Sequence, residues 1–171
     1  MTFTPELEIS QFTSAPLQLE GTFIFDAPAQ VLFQHISDPN NLSAWFPTMH
    51  QGSVDHAASE TDGEWGVGSK RYCQTRLMGT LNETILHWEP PHVYAYNVQN
   101  WTMPIKDHCA VMRVESLGDN RSQLIWQQYY NPIGLFLKYA FPDLMVTMMN
   151  AGMEQLRQTL GGSGGKMRKV N

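Results

Sequence analysis

At 171 residues, with 42% apolar and 16% charged side chains, the chain has the size and composition of one domain whose core needs no staples. A formal net charge of -5 argues against a nucleic-acid surface, which would need a basic stripe. Cys73 and Cys109 form no CxxC pair and have no ligand-spaced histidines nearby, so two reduced thiols are expected, with no metal site.

Residues 1–16 read as an irregular polar arm on the surface. LQLEGTFIF (17–25) alternates Leu17, Leu19, Phe23 and Phe25 with polar neighbours, the period of a half-buried strand. Asp26 stands where a helix cap belongs, with Pro28 in the first turn, and Val31, Leu32, His35 and Ile36 repeat at helical spacing. Asp38-Pro39 stops that helix, and a second short one carries Leu42, Trp45 and Phe46 up to Pro47. Residues 48–66 are loop-like with a weak strand near 50–57. Five strand-like runs follow, at 69–76, 80–88, 92–98, 107–115 and 122–130, separated by short turns. Such connections imply an antiparallel meander.

The period then changes. Leu144, Met145, Met148, Met149, Met153, Leu156 and Leu160 share one face, predicting an amphipathic helix over 143–160 that is roughly 27 Å long, with Pro142 in its first turn. IGLFLKYAF (133–141) reads as a helical lead-in, and GGSGGKMRKVN (161–171) as a flexible basic tail. No leader pattern opens the chain, and no window approaches the ~20 apolar residues of a membrane span. The expectation is therefore a cytoplasmic protein, monomer or homodimer, with no nucleic-acid partner and no stable membrane insertion. One long helix over a curved sheet of six to seven strands gives an α+β domain over 17–160 with an internal cavity, since a single helix cannot fill the concave side.

DAPAQVLFQHISDPNNLSAWFP (26–47) and WGVGSKRYCQTRLMGTLNETILHWEPPHVYAYNV (65–98) carry a resemblance. The strand, the Asp/Ala-Pro helix entry, the Ser-Asp-Pro break, the Trp-Phe-Pro second helix, the Gly-x-Gly strand entry and the Pro-Pro turn are similar to those of the START-related (SRPBCC) superfamily. That superfamily includes the birch pollen allergen, lipid-transfer START domains and polyketide cyclases. The resemblance covers roughly 17–160 and implies a helix-grip fold with a ligand cavity. It implies no particular reaction.

Strand alternation assigns the expected lining. It comprises Arg71, Cys73 and Thr75, then Leu81, Glu83 and Ile85, then Tyr94 and Tyr96, then His108, Ala110 and Met112, then Trp126 and Gln128. Met145, Met148, Met149 and Met153 would line the helix side, either as ordinary core or as a deformable wall. The resemblance places Glu83 where plant hormone receptors of the superfamily carry a cavity carboxylate, and His108 where they carry a tyrosine. Arg71 and Glu83 read as a polar anchor for a ligand, as a pair serving folding alone, or as an exposed ion pair. His108 is either a neutral wall residue or, with Glu83 and Tyr96, a candidate acid–base group. Leu77, Met78 and Gly79 are the candidate gate, and 133–141 the opposite lip. The leading function is binding of a small hydrophobic or aromatic molecule, as carrier or sensor. The alternatives are a cofactor-free cyclase or dehydratase and a chaperone-activator-like interaction domain.

Overall fold

A computed structural model describes residues 7–135 and 137–170. Among them, strand β1 (Leu17–Phe25) leads into helices α1 (Ala29–Ser37) and α2 (Pro39–Trp45). Six strands follow: β2 (Met49–Asp55), β3 (Lys70–Thr75), β4 (Gly79–Glu89), β5 (Val93–Gln99), β6 (Ile105–Ser116) and β7 (Ser122–Pro132). Helix α3 (Leu137–Leu160) and strand β8 (Met167–Lys169) complete the chain. The strands form one antiparallel sheet in the order β2-β3-β4-β5-β6-β7-β1-β8. The fold is the α+β helix grip, with eight strands where six to seven are expected.

The additional strand comes from the tail. Where the Gly/Ser-rich composition suggests flexibility, Met167 and Lys169 pair with Gly21 and Leu19 of β1. Gly165 makes the approach possible: its φ is +84°, and a Cβ there would overlap the Thr22 carbonyl. Asn150 of α3 bonds Met167 through both its amide nitrogen and its oxygen, fixing the strand to the helix.

Helix α1 begins later than its expected cap. Pro28, rather than Asp26, holds the N-cap position, while Asp38 caps α2 by accepting from the Asn40 N–H. Helix α3 begins earlier, so Pro142 lies inside it. The bond that Pro142 cannot donate would have gone to the Lys138 carbonyl, which lies in an exposed turn open to solvent. Phe141 ties this early turn to the sheet by an edge contact with Tyr130, 6.0 Å between centroids. Leu144, expected on the buried face, is 48% exposed; the buried stripe runs through Phe141, Met148, Met149, Met153 and Leu156.

The main core fills the space between the concave face, α1, α2 and α3. A smaller cluster lies on the opposite face, where Leu7, Ile9 and Phe12 of the N-terminal segment cover Val93, Ala95, Cys109 and Val111. The arm, read from sequence as polar and irregular, is therefore the lid of an apolar patch on β5 and β6. No described helix is long and apolar enough to cross a membrane.

Candidate functional site

Inside the grip, a cavity of about 60 Å³ remains between the concave face and α1, α2 and α3. That is room for a few water molecules, since each occupies ~10–15 Å³ on this measure. Its wall takes Arg71, Leu81 and Glu83 from β3 and β4, and Tyr94 and Tyr96 from β5. His108 and Met112 come from β6, Trp126 and Gln128 from β7, Met145 and Met149 from α3, and Met78 from the β3–β4 turn. Each of these residues stands among the expected site residues.

Other expected lining residues face the interior without bordering the cavity. Cys73, Ile85, Ala110 and Met153 are fully buried in the core, and Met148 is buried beside them. Thr75 is consumed by its turn, its hydroxyl donating to the Gly79 carbonyl and accepting from the Met78 N–H. The gate reading changes too. Gly79 sits in the turn at φ +69°, but Leu77 is 71% exposed and covers nothing; Met78 alone of the three reaches the cavity. In the proposed lip, Ile133 and Leu135 are exposed, and Phe136 lies outside the described residues.

Sequence reading aligned Val98 with Tyr94 and Tyr96, left out Leu42, Met49 and Met103, and assigned Ile36, Trp45 and Phe46 to plain core; all seven border the cavity. Helical periodicity signalled that Ile36 and Trp45 are buried, but carries no information on which buried residues adjoin a void. Met103 sits in a turn, where no periodicity operates.

The polar wall starts from a register. Arg71 and Glu83 are direct partners across β3 and β4, which sets Nη2 2.7 Å from Oε2, both side chains almost wholly buried. Arg71 Nη1 donates to the Ser37 carbonyl at 2.8 Å, and the Tyr94 hydroxyl donates to the Ile36 carbonyl at 2.6 Å. These bonds satisfy the last carbonyls of α1, and the cation sits at the negative end of the helix dipole. The guanidinium also lies over the Tyr96 ring, 4.7 Å from its centroid. Burial works against the Arg71 charge, but Glu83 together with Tyr94, Cys73 and Tyr96 outweighs it and the guanidinium is held charged. Burial likewise lifts the Glu83 carboxyl above its ordinary value, with Arg71 and the Cys73 thiol pulling back. The same burial lifts the Cys73 thiol, the Tyr94 phenol to about 12 and the Tyr96 phenol well above its usual range.

His108 is aimed by a bulge. Two residues of β6, Asp107 and His108, oppose one on β7, and Asp107 takes a left-handed φ of 55°. The ring then uses both nitrogens: Nδ1 accepts from the Val98 N–H at 3.0 Å, and Nε2 lies 2.7 Å from Gln128 Oε1. Since Nδ1 accepts, the neutral ring carries its proton on Nε2 and donates to Gln128. Burial lowers the His108 pKa to about 4. His108 stands in the wall with both ring nitrogens engaged and its ring held neutral by burial.

This has a consequence for stability. Unfolded, His108 takes up a proton near pH 6.5; folded, only near 4. Below pH 6.5 the unfolded state binds the extra proton, so stability is full above that value and falls as pH drops toward 4, by up to about 3 kcal/mol. Denaturant titrations at several pH values are expected to show this slope in the wild type and a flatter one in His108→Gln. Equal slopes would contradict the assignment.

Two donors in the wall have no partner among the described residues, Arg71 Nε and Trp126 Nε1. No described cluster of His, Cys, Asp or Glu is arranged to hold a metal.

The family profile for polyketide cyclase / dehydrase and lipid transport proteins matches residues 16–161. The chain belongs to that family. The match spans β1 to β7, the three helices and every cavity residue described above. No curated protein matches the sequence. Among solved structures, the fold is similar to that of XoxI from Bacillus cereus, at TM-score 0.67 and 17% identity, over 82% of this chain and 93% of that one. It is also similar to the Zhui aromatase/cyclase of Streptomyces sp. R1128, at TM-score 0.61 and 17% identity, over 86% and 100%. A norcoclaurine synthase point mutant of Thalictrum flavum, solved with a transition-state analogue, aligns at TM-score 0.56 and 13% identity, over 85% and 98%. At these identities the family member and its neighbours share a fold, and the chemistry must be argued from the site.

Proposed function

We propose that this family member binds a small, largely apolar molecule in the interior cavity, as a carrier or sensor. The observation that carries the reading is a buried, mostly apolar space walled on one side by a charged pair and by two orphaned donors. A buried N–H without a partner costs about 1–3 kcal/mol, a cost removed when an acceptor is supplied. Trp126 Nε1 and Arg71 Nε therefore favour a ligand that presents an acceptor, such as a carbonyl or ether oxygen, on an aromatic or aliphatic frame. The present volume admits only waters, so the ligand must displace side chains. Met78, Met103, Met145 and Met149 border the space, and unbranched thioethers repack at low cost.

Binding is favoured over acid–base catalysis. The histidine has no free nitrogen, both cavity tyrosines are held as phenols at neutral pH, and the Glu83 carboxyl is engaged by Arg71. A cyclase would need a group that exchanges protons near its working pH.

Native mass spectrometry of freshly purified protein is expected to show a retained small molecule, and anilinonaphthalene sulfonate to bind with enhanced fluorescence and be displaced by it. Glu83→Gln is expected to weaken retention about 10- to 100-fold, the worth of a hydrogen bond involving a charged group. Unchanged affinity in a folded Glu83→Gln protein would remove the anchor role. Absence of both a retained mass and dye binding would remove the cavity reading itself.

A further inference from the structure

The meander places the β3–β4, β5–β6 and β7–α3 connections at one end of the sheet. Hydrogen bonds knit them together: Thr102 Oγ1 and Asn100 Nδ2 donate to the Met78 carbonyl at 2.9 Å, and the Ile133 N–H donates to the Pro104 carbonyl at 2.7 Å. Of the nine large hydrophobic side chains exposed among the described residues, seven lie on these connections or on the first two turns of α3; the exceptions are Leu117 and Val170. Trp101 is 96% exposed, Leu135 80% and Leu77 71%. Three of the seven have an inward neighbour at the cavity: Leu77 beside Met78, Trp101 near Met103, and Leu144 beside Met145. Three apolar prongs thus flank, along the chain, methionines of the cavity wall.

Charge follows the same geography. The chain carries -5 overall, yet Arg76, Lys106 and Lys138 stand exposed at this end, with no ion-pair partner among the described residues. The nearby carboxylates are Asp143, paired with Lys169 at 2.7 Å, and Asp107, which accepts from Asn131. An exposed indole and separated aliphatic tips among snorkelling cations match the boundary between headgroups and acyl chains. A protein interface would instead want a continuous patch with a fully buried centre. From these observations we infer that this end docks on an anionic lipid surface, inserting Trp101, Leu77 and Leu135 and setting Arg76 and Lys138 among the headgroups. Docked in this way, the cavity would be entered from the bilayer, although the docking stands whatever the cavity binds.

The test is co-sedimentation of the full chain with vesicles of phosphatidylcholine, alone or with about one-third phosphatidylserine. Binding is expected to the anionic vesicles, weakening several-fold as salt rises from about 0.1 to 0.5 M. Trp101→Ala combined with Leu135→Ser is expected to lower partitioning at least tenfold. Arg76→Glu combined with Lys138→Glu should reduce it on anionic vesicles alone, while Leu117→Ser at the other end leaves it unchanged. All three variants alter exposed side chains and should melt like the wild type and bind anilinonaphthalene sulfonate as it does, which separates this inference from the cavity reading. Failure of the wild type to bind anionic vesicles would overturn it and leave the rim as a protein interface. An equal loss in Leu117→Ser would overturn it as well.

Discussion

Arg71→Met is expected to cost about 3–5 kcal/mol of folding stability, because it leaves the Glu83 carboxyl in the wall without its cation. The loss should grow with pH. Without Arg71 the folded state keeps the Glu83 proton to higher pH than the unfolded chain does, so each step above the ordinary carboxylate range favours unfolding. The double variant Arg71→Met with Glu83→Leu should recover most of the loss, since a well-packed apolar pair carries no desolvation penalty. It should still fall about 1–2 kcal/mol short of the wild type, because the Ser37 carbonyl at the end of α1 loses its donor. Denaturant unfolding of the four proteins measures the cycle. A single-variant cost under about 1 kcal/mol would mean that the pair is not desolvated as the structure has it.

The same pair shows what the sequence makes legible. Alternation on β3 and β4 places Arg71 and Glu83 on the inward face, and short turns imply adjacent antiparallel strands; the structure supplies the register that makes them direct partners. The third partner, the end of α1, is 34 residues away from Arg71, and no local period announces it. His108 follows the same logic. Its inward direction was readable by counting back from Ala110 and Met112, but the bulge at Asp107 and the two bonds that neutralise the ring arise from the meeting of β5, β6 and β7. The tail was misread for a related reason. Glycine-rich composition signals freedom, whereas at Gly165 that freedom is used to bring the chain against the Thr22 carbonyl. Composition describes the unfolded chain; close approach is a property of the fold.

Trp45→Ala is expected to destabilise the protein by about 3–5 kcal/mol and to enlarge the cavity at the same time. The indole ends α2, is 2% exposed, and packs edge-on to Phe46 and to Trp126, at 5.8 and 6.4 Å between centroids. Its Nε1 donates to the His35 carbonyl at 3.0 Å, which ties α2 to α1. Gly152 of α3 lies against the Trp45 ring, where an added Cβ would meet it at 3.4 Å, so removing the indole leaves α3 without this partner. The resulting void borders the existing cavity, retains its apolar lining and gains an acceptor, the freed His35 carbonyl. Indole supplies the missing volume and donor, and should stabilise Trp45→Ala with the logarithm of its concentration, by about 2–3 kcal/mol at a hundredfold excess over its Kd. Wild-type protein, whose cavity is already occupied there by Trp45, should show a much smaller rise in Tm with indole. Equal rises in the two proteins would mean that the space next to Trp45 does not open into a ligand site.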